Sequence, residues 1–412
     1  MPTIIQIPEI IQDVREKFAD LFSNEPQRDH FAVYLTGLIV SHNKTVSGIT
    51  DQFVGVSDQS CLNRFLNDVD WDVEALNRRR LELFQQSEET RYHLKGVIAI
   101  DNVLIDHDGK LIEDVGWFWD HAEQRSKIAH DYLISNYVCP SGKHYPLEFR
   151  RFKKRDQCEM MDEQFLDHSV LFRQLVDHVS EQNIPGTLAF DCYFSSAENL
   201  NYIHCQTDSQ GNPRGYVGDL KTNRKLETRG RSIRADELAA SIDAQDRKEY
   251  RYRGQRQWYF TKTVRLPQVT HPVRILILWR NRRDTSPAKV LVTNKIHWDV
   301  HRMLNVYRDR WTGTETFHRD GKQNLGMGDC QLRNGQGQTR HMHLVMLAYS
   351  LLMHQLRSTK AKRWASQRLT TIGQACQAMI NETLRTTIQW VIQNVNENPA
   401  KSKHLTALLG LS

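Results

Sequence analysis

Apolar residues along this chain change their spacing near residue 95 and again near residue 299. Before the first change they recur at helical spacing over residues 10–22, 30–41 and 73–84, with the turn-like S-N-E-P and S-H-N-K between them, which predicts a helical N-terminal region. Residues 45–66 read as a short helix, a glycine-containing turn and a second helix. Such a unit either seats Arg64 in a DNA groove or is part of a small helical bundle. From Gly96 the pattern becomes extended: residues 96–105 (GVIAIDNVLI), 111–119, 132–138 and 144–152 predict strands. Residues 160–182 return to helical spacing, 186–191 (GTLAFD) predict a short buried strand, and 215–220 a further one. Strands on both sides of a helix describe a mixed α/β sheet. Residues 250–264, 273–279 and 289–293 predict strands with no long helix among them, a β-rich module inserted into the α/β domain. After Trp298 helices resume at 300–306, from 314 onward, at 341–355 and at 372–394. The longest apolar stretches, 31–40 and 344–353, are about half the roughly 20 residues a membrane-crossing helix needs, so they predict core helices.

Composition narrows the class. The seven cysteines are scattered with no C-x-x-C, and the 18 histidines show no H-E-x-x-H, which argues against a zinc ribbon or a disulfide scaffold and for reduced thiols in the cytoplasm. No secretory leader is read at the N-terminus. The net charge of +6 says little until it is divided: residues 1–90 carry −7 and residues 192–314 carry +11. Within that basic block, Arg251, Arg253 and Arg256 alternate with Tyr250, Tyr252, Trp258 and Tyr259. Cations for phosphates beside aromatic faces for bases are what a nucleic-acid surface requires. An Arg-opposite-Glu strand face is the plainer alternative for any single residue.

Three acidic residues stand out. Asp101 follows the apolar V-I-A-I and Asp191 follows L-A-F, and a carboxylate at the end of a buried strand needs a partner, commonly a metal ion. A turn-starting or helix-capping aspartate is the plainer reading of either one alone. Asp106 and Asp108 lie in a turn-like D-H-D-G-K and read as solvated. Glu315 sits in YRDRWTGTETFHRDGK, with Tyr307 and Arg310 before it and Lys322 two helical turns after it.

The ordered set Asp101, Asp191 and Glu315, with the basic β-rich block before the glutamate, resembles bacterial insertion-sequence transposases of the DDE type. The nearest group is the one with a Y-R-E-K signature. The chain departs from that signature at one place, where four residues rather than three separate Arg310 from Glu315, and Thr312-Gly313-Thr314 marks a place for a bulge or a helix start. The resemblance implies an RNase H-like mixed-sheet core at 93–220 and 299–358, interrupted by the basic β-rich insertion at 221–298. A helical domain at 1–92 that binds DNA ends and a helical region at 359–412 would flank it. It further implies that Asp101, Asp191 and Glu315 hold two divalent ions, Mg²⁺ with Mn²⁺ as a substitute, for cleavage of element ends and cut-and-paste strand transfer. Tyr307, Arg310 and Lys322 would hold phosphates, and two joined double-stranded DNA ends imply a homodimer. Trp258 and Trp279 read first as core or strand packing, with stacking of one of them on a base as the alternative. A regulator without catalysis and a structure-specific nuclease are the alternatives.

Overall fold

A computed structural model describes residues 4–55, 58–121, 123–228, 230–252, 254–357 and 364–397. In chain order the elements are α1 (Glu9–Lys17), α2 (Glu25–Val40), α3 (Val46–Thr50), α4 (Gln59–Asn67), α5 (Val73–Gln85), β1 (Val97–Asp106), β2 (Gly116–Asp120), β3 (Arg125–Val138) and β4 (His144–Phe152). Then come α6 (Arg155–Met160), α7 (His168–Glu181), β5 (Thr187–Phe190), α8 (Ala197–Cys205), β6 (Tyr216–Asp219), β7 (Lys225–Thr228), β8 (Arg231–Arg234) and α9 (Ala235–Ser241). The last are β9 (Lys248–Tyr252), β10 (Gln255–Val264), β11 (Val273–Trp279), β12 (Lys289–Thr293), α10 (Val300–Asn324), α11 (Gly335–Gln355) and α12 (Ile372–Glu397). The chain forms two compact units. Unit 1 comprises residues 1–90, 104–131 and 317–412, and unit 2 residues 91–103 and 132–316.

Unit 1 is largely helical. The apolar stretch of α2 is buried from Phe31 to Val40, and α11 is buried nearly all round, as the two predicted core helices require. Helices buried on every side must satisfy their polar groups internally. The Tyr34 hydroxyl pairs with His341 Nδ1 at 2.9 Å, and the fully buried Arg80 donates to Asn77 and, at 2.9 Å, to Ser350. The 45–66 stretch resolves into α3 and α4, with Arg64 exposed on α4 and donating to its own helix. β2 pairs antiparallel with the first residues of β3, Gly116 opposite Ala129. No helix among the described residues is long and apolar enough to cross a membrane.

Unit 2 is built on a large mixed sheet, the RNase H-like arrangement expected. Its strand order is β3–β1–β5–β6–β12–β11–β10–β9, with β4 also on β3. β1, β5 and β6 run parallel, and β6, β12, β11, β10 and β9 are successively antiparallel. The parallel strands are continuous apolar runs, TLAF in β5 being buried at every residue, as strands covered on both faces must be. Gly186 opens β5 at φ +131°, where a Cβ would lie 2.7 Å from the Gly96 carbonyl oxygen, so no side chain is tolerated there. The β-rich segment continues this same sheet beyond β6.

Several element boundaries differ from the sequence expectation. Residues 160–182 are not one helix: α6 ends at Met160, and α7 starts afresh at His168 under an Asp167 cap that accepts from Val170 N at 2.9 Å. The strand expected at 111–119 covers only 116–120, and Leu111 is exposed. Residues 250–264 are two strands, split by Gly254 at φ +79°. β1, by contrast, runs from Val97 to Asp106, close to the strand expected at 96–105, and Asp101 lies within it, with Val103 and Ile105 buried beyond.

Candidate active site

Strand register brings the first two acids together. Ala99 on β1 pairs in parallel with Ala189 on β5, so Asp101 and Asp191, each two residues further along, leave adjacent strands at the same level. Phe190 pairs with Gly218 on β6, which places Asp219 beside Asp191 in turn. Three aspartates therefore follow one another across three adjacent parallel strands, Asp191 just past the end of β5, Asp219 at the end of β6 and Asp101 within β1 just beyond its pairing with β5; the carboxyl ends of strands are where open α/β sheets present their ligand sites. The Asp191 side chain caps a short turn over Cys192–Phe194 and accepts from Tyr193 N at 2.9 Å.

The third acid comes from α10, which is one unbroken α-helix from Val300 to Asn324. The bulge or helix start expected at Thr312-Gly313-Thr314 is absent. Gly313 serves packing instead: a Cβ there would stand 2.8 Å from Val138 Cγ2 and 3.3 Å from Ala99 Cβ, so the missing side chain lets the helix lie close on β1 and β3. With the helix regular, Tyr307, Arg310 and Thr314 fall on one face at three- and four-residue spacing. Arg310 and Asp101 are both buried and form an ion pair. Thr314 Oγ1 lies 3.5 Å from the same Asp101 oxygen while donating to the Arg310 carbonyl at 3.0 Å.

Electrostatics show that these groups sense one another. Burial pushes the Asp101 carboxyl up to about 6; Arg310 opposes the rise, and the charges of Asp191 and Glu315 add to it. Glu315 itself is half-buried and makes no hydrogen bond or ion pair among the described residues. Beside this group, Lys289 Nζ reaches Asp219 at 2.9 Å and the Tyr307 hydroxyl at 3.0 Å, and that hydroxyl lies 3.3 Å from Asp219. Arg310 Nε is buried without a hydrogen-bond partner among the described residues.

Two family models match the chain: "DDE superfamily endonuclease" over residues 17–181, and "Transposase DDE domain" over residues 168–351. The chain belongs to the DDE transposases. It is thus an enzyme acting on DNA. No curated protein matches the sequence.

DDE transposases use divalent metal ions. Among the described residues no three histidine, cysteine or carboxylate side chains converge closely enough to hold one. The donor chemistry nevertheless fits: Asp101, Asp191 and Glu315 offer only hard oxygen ligands, and the charges of the last two on Asp101 are opposed by the guanidinium of Arg310. Lys322, on the same helix, belongs to unit 1. Burial pushes it down, and the carboxylate of Asp106 works the other way. Asp106, read as solvated, is ion-paired with Lys127 at 2.8 Å.

In the basic segment of this DDE transposase, Arg251 and Arg256 face each other across β9 and β10, both exposed and both near Glu249, at 3.1 and 3.5 Å. Pairs so exposed are weak enough to exchange for phosphate. Arg253 lies outside the described residues. Trp258 is half-buried, opposite Trp279 in the sheet. Trp279 is buried against the Arg247 guanidinium, 4.1 Å from its ring centre, and is core rather than a stacking surface. Sequence reasoning missed Asp219, Lys289 and Thr314. Asp219 ends the apolar Y-V-G run as Asp101 and Asp191 end theirs, a signal that was present; Lys289 carried none.

Proposed function

We propose that this transposase cleaves the ends of an insertion sequence and joins the freed 3′-hydroxyls to target DNA by cut-and-paste. Asp101, Asp191 and Glu315 would hold two divalent ions, Mg²⁺ in the cell and Mn²⁺ as a substitute. The observation that carries the reading is the in-register pairing of β1 and β5 that levels Asp101 with Asp191, in a pocket of charge that includes Glu315. When bound, such ions activate the attacking oxygen and stabilise the leaving one in an in-line displacement. The chain's own residues do the rest. Arg310, released from Asp101, turns its fork and its unfilled Nε to a phosphate oxygen. Lys289 keeps Asp219 neutralised, and Tyr307, turning its hydroxyl from Asp219, and Lys322 hold flanking phosphates. Helices of residues 1–92 engage DNA ends, and the basic strands of 221–298 grip the duplex through Arg251, Arg253, Arg256 and Trp258. The protein acts on two ends as a homodimer in a prokaryotic cytoplasm. The Y-R-E-K group remains the best match in spacing, with one residue added between Arg310 and Glu315.

The test is metal-dependent strand cleavage and joining by Asp101→Asn, Asp191→Asn and Glu315→Gln. Each is expected to lose both reactions while DNA binding survives, and full activity in any of them removes that residue from the site. Cleavage without joining by the wild-type chain points to a nuclease instead.

A further inference from the structure

Just past the carboxyl ends of β5 and β6, unit 2 holds a cavity of about 440 Å³ that the catalytic reading does not use. The turn capped by Asp191 forms one wall and presents Tyr193, which is 58% exposed and held edge-on by His168 and Phe194, with ring centres 5.6 and 5.1 Å away. The lining continues in the segment that follows directly on Asp219, which carries Lys221, Arg224 and Lys225. No carboxylate among the described residues pairs with any of these three cations. Arg224 is half-buried, and its burial works against its charge, so an anion is what the wall lacks. Ser195, also in the lining, is fixed by its hydroxyl, which donates to the Asp219 carbonyl at 2.5 Å and ties the Asp191 turn to the end of β6.

Three unpaired cations lining the same concave space as an exposed ring fit a phosphate and an aromatic base together. A base still paired in a duplex cannot enter a cavity of this size, whereas a single unpaired nucleotide fills it. We infer that this cavity receives one unpaired nucleotide of the DNA strand held at Asp191, with its base on Tyr193 and its phosphate on Lys221, Arg224 and Lys225. The inference rests on the proposed active site, because it is the Asp191 turn that delivers the strand.

The experiment compares binding of the full chain to mixed-sequence DNA duplexes that are either blunt or carry a short single-stranded overhang. Wild type is expected to prefer the overhang about tenfold, the scale of one base stacked on an aromatic ring. That preference should collapse in Tyr193→Ala and in the triple variant Lys221→Ala, Arg224→Ala, Lys225→Ala. Tyr193→Phe should keep it, and 5-iodouracil in the overhang should crosslink to Tyr193. Retained blunt-duplex binding shows that the variants are folded. An unchanged preference in both variants, or none in a wild type that binds blunt duplex, overturns the nucleotide pocket alone. Metal-dependent cleavage persisting in Asp191→Asn overturns the active site on which it depends.

Discussion

Each unit contains a cluster of opposite charges around a buried member, Lys127 in unit 1 and Asp101 in unit 2, and the two clusters are balanced differently. In unit 1, Lys127 is surrounded by Asp106 at 2.8 Å, Glu123 at 3.3 Å and Asp120. Burial works against its charge, but the hydrogen bonds to Asp106 and Asp120 hold its ammonium above the ordinary lysine range. The cation is saturated. In unit 2 the imbalance runs the other way: Asp101, paired with Arg310, also feels the charges of Asp191 and Glu315, and its burial drives it up to about 6. A saturated cluster is a structural joint. An under-neutralised one stores repulsion that a cation or a phosphate-bound guanidinium can relieve, which is why perturbed carboxylates gather at functional sites.

The contrast breaks most visibly by substitution of the acids. Asp191→Asn should reduce cleavage by several kcal/mol of transition-state stabilisation, on the order of 10³-fold, with the thermal midpoint nearly unchanged. Lys127→Met should do the reverse, costing unit 1 about 2 kcal/mol in chemical denaturation while leaving the chemistry of a folded chain intact; its partly exposed carboxylates keep the figure below that of a fully buried pair. Equal effects of the two changes on stability would erase the distinction between the clusters. Gly313→Val should loosen the seat of α10 on β1 and β3 by about 1–3 kcal/mol and lower cleavage together with stability.

Acid separates the units more gently. Burial pushes His107 and His341 of unit 1 down to about 4, so the unfolded chain binds protons there that the folded chain refuses. Their stabilising contribution is complete above about pH 6.5 and is lost as the pH falls toward 4. In unit 2, His271 behaves likewise, but Asp101, raised to about 6, takes up its proton earlier in the folded state and offsets the loss. Hydrogen exchange followed from pH 7 to 4.5 should show unit 1 opening first, and His107→Gln should flatten its pH dependence. Simultaneous opening would contradict this difference. The smallest effect concerns charge on the surface: reversal of Arg251 or Arg256 should weaken DNA binding about tenfold at moderate salt, and more than reversal of Arg15, which is already held by Glu25 and by Asp29 at 2.8 Å.

The legibility of the chain follows the range of the forces involved. The apolar runs of α2 and α11 and the β-branched runs of β1 and β5 are local signals, and they specify buried elements wherever they occur. The charge division and the positions of Asp101, Asp191 and Glu315 are likewise written in order along the chain. Where the reading went astray, a distant partner had decided the matter. Thr312-Gly313-Thr314 has poor helix propensity, yet packing of Gly313 against Val138 and Ala99 keeps α10 unbroken.

Sequence alone thus determined which acids stand at the ends of buried runs, and that the positive charge lies between the second and the third. Tertiary structure decided which of them face each other, since only the register of Ala99 with Ala189 and of Phe190 with Gly218 sets Asp101, Asp191 and Asp219 at one level. It also decided that Arg310 answers Asp101 and that Lys289 answers Asp219. Partners separated by 209 and 70 residues leave no local periodicity behind, because a charge pair depends on distance in space and not along the chain.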